Sequence, residues 1–109
     1  MKNTQKILVV DDNALWRSAT TLTVQTFGFE VETASSGREA LKTVKANNYA
    51  VILMDCDMQI MDGFECTKKI RELEKPIATR ISIIGLTCSV ANDIEDRCLK
   101  AGMDAYMDK

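Results

Sequence analysis

Five side chains in this sequence could share one piece of chemistry. Asp11 and Asp12 follow the apolar run ILVV, Asp55 follows VILM, Thr87 ends ISIIGLT and Lys109 ends DAYMDK. Taken singly, the acids have ordinary explanations: Asp11 and Asp12 cap a following helix, and Asp55 opens a turn. Three carboxylates at the ends of neighbouring strands are a different matter. Like charges held together are costly unless a cation neutralises them or one keeps a proton. A compact, hydrated, all-oxygen site suits Mg2+, which takes one or two carboxylates and retains several waters. A divalent ion so held can neutralise a phosphoryl group arriving in line. A carboxylate can also act as the nucleophile and become an aspartyl phosphate. Asp55 is the best candidate for that part, because VILM reads as the most buried strand and a central one. Asp11 and Asp12 suit metal holding. The Thr87 hydroxyl can reach a phosphoryl oxygen, and Lys109 supplies a cation on the opposite flank.

These residues meet only if the chain folds them to one edge. Five apolar stretches read as strands: Lys6–Val10, Glu30–Thr33, Ala50–Asp55, Ile81–Leu86 and Ala105–Met107. Helical periodicity fills the intervals. Leu15, Ala19, Leu22 and Thr26 mark one face of a first helix, and Ala40, Leu41 and Val44 mark a second, opened by the capping box Ser36-x-x-Glu39. Asp62-x-x-Glu65 opens a third carrying Phe64, Ile70 and Leu73, while Ala91, Ile94 and Cys98 line a fourth. Gly28 and Gly102 stand where helix stops are expected, and Pro76 lies in the longer connection from Lys75 to Arg80. Strands alternating with helices predict an α/β fold with a parallel sheet covered on both faces. Ligands in such sheets bind beyond the carboxyl ends of the strands, where these five side chains fall.

The 109 residues fit a single domain, 1–109, and 46% hydrophobic content is too much for a disordered tail. A net charge of −2 gives no electrostatic reason to bind nucleic acid or an anionic membrane. No apolar run approaches the ~20 residues of a bilayer span. The start MKNTQK has no signal-peptide layout, so a cytoplasmic location is expected. The cysteines at 56, 66, 88 and 98 lack CxxC spacing and read as reduced thiols used as small apolar groups. Cys56 and Cys88 lie near the acidic cluster, which disfavours a thiolate and a redox-sensor role. Histidine is absent, which removes Ser-His-Asp triads, histidine metal ligands and a phosphohistidine on this chain. Lys68, Lys69 and Arg71 read as a solvated basic face. The six methionines read as gap-filling core, and Trp16 as a half-exposed neighbour of the site.

VVDD at 9–12, MD at 54–55, MDG at 61–63, LT at 86–87 and Lys109 closing AGMDAYMDK resemble the receiver domain of two-component response regulators, of the chemotaxis-regulator type. The likeness spans nearly the whole chain, and the five motifs occur in order at matching spacings. It implies a (βα)5 flavodoxin-like, doubly wound parallel sheet with strand order 2-1-3-4-5. It implies that Asp55 takes a phosphoryl group from a phosphohistidine on a sensor histidine kinase or histidine phosphotransfer protein. Asp11, Asp12, Asp55 and the backbone carbonyl of Asp57 would then bind Mg2+. Thr87 and Lys109 would contact the phosphoryl group, and Tyr106 matches the switch aromatic that passes the signal to an effector domain or target protein. The sequence departs from the family at three places. Gln59 stands where many receivers have proline, Cys88 stands where alanine is usual, and the chain stops at Lys109, so the last helix is expected to be missing. An uncovered sheet face would then be open to self-association.

Two other readings compete. LMDCDMQ resembles the DxDx[TV] motif of haloacid-dehalogenase-like phosphatases, with Asp55 as nucleophile and Asp57 as general acid. Against it, position 59 is Gln, the acidic pair precedes the nucleophile, and no cap domain fits within 109 residues. A pseudo-receiver, a binding module that keeps the fold and never takes phosphate, is the other. All five site residues are present, which argues for an active site.

Overall fold

A computed structural model of the chain describes residues 5–74, 80–89 and 91–109. The strands are β1 (Lys6–Val10), β2 (Glu30–Ala34), β3 (Val51–Asp55), β4 (Ser82–Thr87) and β5 (Ala105–Asp108). The helices are α1 (Ala14–Thr26), α2 (Gly37–Ala46), α3 (Gly63–Glu74) and α4 (Ile94–Ala101). All strand pairs are parallel, in the order β2-β1-β3-β4-β5. The predicted sheet and its strand order are those observed, with boundaries shifted by one residue at most at any strand end. Pro76 lies outside the described residues.

Alternation along the strands divides the interior. Leu8, Val10, Ile52, Met54 and Ile83 turn to one face and form a single cluster with Ala40 of α2, Phe64 and Ile70 of α3, and Ile94 and Cys98 of α4. Met54, Met58 and Met103 fill this cluster, whereas Met107 is exposed. The alternate residues Ile7, Val9, Val51, Leu53 and Ile84 face the other way. There α1 packs on β1 and β2. The helix ends follow the predicted caps. Ser36 Oγ accepts from the Glu39 amide at 3.1 Å, and Asp62 Oδ1 accepts from the Glu65 amide at 2.9 Å. Gly28 and Gly102 both take positive φ where their helices stop. Ala91 precedes α4 and is exposed, so it does not line that helix.

The α1 face differs from expectation. Leu15, Ala19, Leu22 and Thr26 are exposed, and the half-buried residues are Arg17, Thr20, Thr21 and Val24. Arg17 settles the rotation: its guanidinium donates to the Asp11 carbonyl at 2.9 Å and so must lie toward the sheet edge. No helix among the described residues is long and apolar enough to cross a membrane.

Candidate functional site

Because β1, β3 and β4 are neighbours and parallel, their last residues meet at one edge. Asp11 follows β1, Asp55 ends β3 and Thr87 ends β4. All three are buried, at 1%, 2% and 0% exposure, an unusual position for two carboxylates without nearby compensation. Lys109 follows β5. Its amide donates to the Thr87 carbonyl at 2.9 Å, which fixes where its side chain departs. The Lys109 ammonium then lies 3.1 Å from Asp11 Oδ2 and 3.1 Å from Asp55 Oδ1. Asp12 is exposed, and its Oδ2 accepts from the Gln59 amide at 3.1 Å, a donor that proline at this position could not supply.

The bonding leaves specific oxygens open. On Asp55, the Asp57 amide and the Lys109 ammonium both converge on Oδ1, at 3.0 and 3.1 Å, so Oδ2 is left for new bonding. Asp11 Oδ1 accepts from the Asn13 amide at 2.9 Å. Its buried Oδ2 accepts no well-directed hydrogen bond among the described residues, although the ammonium is near. One ligand oxygen from each of Asp11, Asp12 and Asp55 lies within 4.8 Å of the others. This all-carboxylate set, with an under-bonded buried oxygen, fits a small hard divalent cation. Across the pocket, Thr87 Oγ1 accepts from the Ser89 amide at 2.9 Å and sits 3.5 Å from Asp57 Oδ2.

The electrostatics follow from burial. Loss of solvent pushes the Asp55 carboxyl above the ordinary carboxylate range. The Asp57 amide and Lys109 oppose that shift, and Asp11 adds repulsion. Burial alone would lower the Lys109 ammonium, but Asp55 and Asp11 outweigh it and hold it above the usual lysine value. Burial also raises the thiols of Cys56 and Cys66, the latter to about 12, so both stay neutral.

Gly63 belongs to the same construction. A Cβ there would lie 2.3 Å from the Asp55 carbonyl oxygen, so only glycine lets α3 begin against the end of β3. Tyr106 is 37% exposed and pairs in register with Gly85, one step before the Leu86–Met107 pair. Two contacts escaped the sequence reading: the Gln59 amide on Asp12, and the approach to Lys109 of the Trp16 ring, expected only as a neighbour of the site, with its centroid 5.4 Å from the ammonium. The first is a backbone group in a loop and leaves no side-chain signature. The second required the rotation of α1.

A family model described as "Response regulator receiver domain" matches residues 7–109. Hybrid signal transduction histidine kinase L of Dictyostelium discoideum is 38% identical over 108 residues, covering 95% of this chain and 6% of that protein. The chain thus spans a small fraction of the curated relative it matches. Among solved structures, the receiver domain of the histidine kinase CKI1 from Arabidopsis thaliana, complexed with Mg2+ and BeF3-, is 34% identical with a TM-score of 0.87, covering 95% of this chain and 80% of that one. The chemotaxis protein CheY4 of Vibrio cholerae is 33% identical with a TM-score of 0.88, covering 98% and 88%.

Proposed function

The chain belongs to the response regulator receiver family, and on that premise we propose that Asp55 is a phosphoacceptor in a histidine-to-aspartate phosphorelay. The observation that carries this reading is the meeting of Asp11, Asp12 and Asp55, with Lys109 bridging two of them at 3.1 Å each. Asp55 Oδ2 attacks phosphorus as the bond to the donor breaks, and the bonding electrons leave with acetate from acetyl phosphate or with imidazole from phosphohistidine. The imidazole departs neutral when its second nitrogen already carries a proton. The product is a mixed anhydride on Asp55. Asp11, Asp12, Asp55 and the Asp57 backbone carbonyl hold Mg2+. The bound ion supplies positive charge against the carboxylates and the phosphoryl oxygens. Lys109 neutralises charge on its flank, and the Thr87 hydroxyl donates to a phosphoryl oxygen.

The donor is a phosphohistidine on a sensor histidine kinase or a histidine phosphotransfer protein. The output is a population shift. New contacts from Thr87 and Lys109, made only in the phosphorylated state, draw Thr87 toward the phosphoryl group and free space for Tyr106 to turn inward. That changes the surface of α4 and β5 presented to a target protein or effector domain. Turnover of other phosphate esters is not part of this role.

Intact mass after incubation with acetyl phosphate and Mg2+ tests the proposal. The expected result is the gain of one phosphoryl group, lost on chelation of Mg2+ before the phosphodonor is added. An unchanged mass in the presence of Mg2+ would instead identify a pseudo-receiver.

Mg2+ affinity should depend on Asp12 more than on Asp11. Asp12 is exposed and has one oxygen uncommitted, whereas Asp11 is buried against Lys109. Asp12→Asn is therefore expected to weaken Mg2+ at least tenfold, the cost of about 1.4 kcal/mol of lost ion contact. Trp16 fluorescence during a Mg2+ titration reads this, and an unchanged midpoint would rule out direct ligation by Asp12.

A further inference from the structure

We infer that Trp16 is a positioning residue for Lys109, holding the ammonium between Asp11 and Asp55 and thereby setting the rate at which Asp55 takes a phosphoryl group. The inference rests on the proposed phosphoacceptor role and deepens it. Its ground is a chain of contacts that fixes the first turn of α1 on the site. The Asn13 amide donates to Asp11 Oδ1 at 2.9 Å, and Asn13 Oδ1 in turn accepts from the Trp16 amide at 2.9 Å. Arg17, the next residue, donates to the Asp11 carbonyl at 2.9 Å. Trp16 is thus tied from both sides to the residue that pairs with Lys109.

The indole that results is 42% exposed, which is high for tryptophan, yet it is not idle. Its ring faces the Lys109 ammonium at 5.4 Å, within the range at which an aromatic quadrupole attracts a cation. The Lys109 side chain is only 8% exposed, so the ring helps to close its outer side. Lysine is a flexible stem with a strongly hydrated head, and two carboxylates alone leave it free to swing toward either. An apolar face on the third side desolvates the head and narrows its position. That matters at the moment of transfer, when Asp55 gives up negative charge and the ammonium must stay in place for the arriving phosphoryl oxygens.

The test compares Trp16→Phe, which keeps an aromatic face, with Trp16→Leu, which keeps apolar bulk and removes it. The first readout is the ring-current shift of the Lys109 side-chain protons by NMR in the unphosphorylated protein. The second is the initial rate of labelling by acetyl phosphate at saturating Mg2+. The expected result is a shift retained in part by Phe and lost in Leu, with labelling slowed about two- to fivefold in Leu and largely rescued in Phe. Melting temperature and the Mg2+ midpoint, read here by titration calorimetry because both variants lack the tryptophan, should stay near wild type in both. Equal rates for Trp16→Leu and wild type would overturn the positioning role alone, as would equal slowing in Phe and Leu. A wild-type chain that gains no phosphoryl group would bring down the phosphoacceptor reading, and this inference with it.

Discussion

Asp55→Asn is expected to abolish labelling by acetyl phosphate and, in metal-free protein at neutral pH, to raise the melting temperature. The two effects share one cause. Asp55 is 2% exposed, and burial raises its carboxyl above the ordinary value of 3.8 despite the Asp57 amide and Lys109. An acid whose folded pKa exceeds its unfolded one gives stability at low pH that is lost as pH rises through the folded value. At neutral pH the ionised carboxylate is therefore a net cost to the fold. Asparagine removes that charge and still offers Oδ1 to the Asp57 amide, 3.0 Å away in the wild type. Lys109 retains Asp11 as a partner at 3.1 Å. The gain should be a few degrees in the melting temperature of a domain this size. The loss of labelling should be complete, because an amide oxygen is a poor nucleophile and cannot form the anhydride. Calorimetry with a chelator present and intact mass after acetyl phosphate with Mg2+ check the two halves separately. A labelled Asp55→Asn protein would move the acceptor to another residue. An unlabelled variant with a lowered melting temperature would mean that the ion pair with Lys109 outweighs burial.

The acid edge was legible because it depends on two strong local signals. Short strand-like runs end at or just before Asp11, Asp55, Thr87 and Lys109, and parallel strands bring such ends together whatever the loops do. Asp11, Asp55, Thr87 and Lys109 needed no more than that to be placed side by side. The orientation of α1 was not legible. Leu15, Ala19 and Leu22 share the same helical spacing as Arg17, Thr21 and Val24, so periodicity offers two stripes and favours the more apolar one. The choice is made by the polar bond from Arg17 to the Asp11 carbonyl, a contact across the β1–α1 turn that no hydropathy pattern contains. The basic residues of α3 divide for a similar reason. Lys68 and Lys69 are exposed as expected, but the Arg71 side chain is only 12% exposed. A guanidinium is buried when acceptors converge on it from several elements, and two of those of Arg71, at Gly102 and Asp104, lie 31 and 33 residues along the chain.

Arg71→Met is expected to destabilise the fold by about 3 kcal/mol, the low end of the cost of removing one partner from a buried ion pair. The melting temperature should fall on the order of 10–20 °C. Arg71 joins three elements at the sheet edge opposite the acids. Its Nε donates to the Gly102 carbonyl at 2.8 Å, its Nη1 to Glu74 and to the Ile81 carbonyl at 2.7 Å each, and its Nη2 to Asp104 at 2.8 Å. Gly102 admits this geometry only as glycine: its φ is +106°, and a Cβ would lie 2.9 Å from Arg71 Cγ. Methionine has similar length and leaves Glu74, Asp104 and two carbonyls short of a donor. Lysine should rescue little, since one ammonium cannot reach the same set of acceptors. Burial alone would raise the Asp104 carboxyl, but the Ile83 amide, Arg80 and Arg71 together hold it below 3.8. Its stabilising effect is present above that value and lost as pH falls through the lower folded one. The wild type should therefore lose stability below about pH 4, and Arg71→Met should show a shallower acid slope there. The network anchors the first residues of β4 and β5, the strands that end in Thr87 and lead to Lys109, but touches nothing at the acid edge. Well below its melting temperature, Arg71→Met should label with acetyl phosphate as fast as the wild type. Slower labelling at full folding would show that the far edge positions Lys109 as well as holding the sheet together.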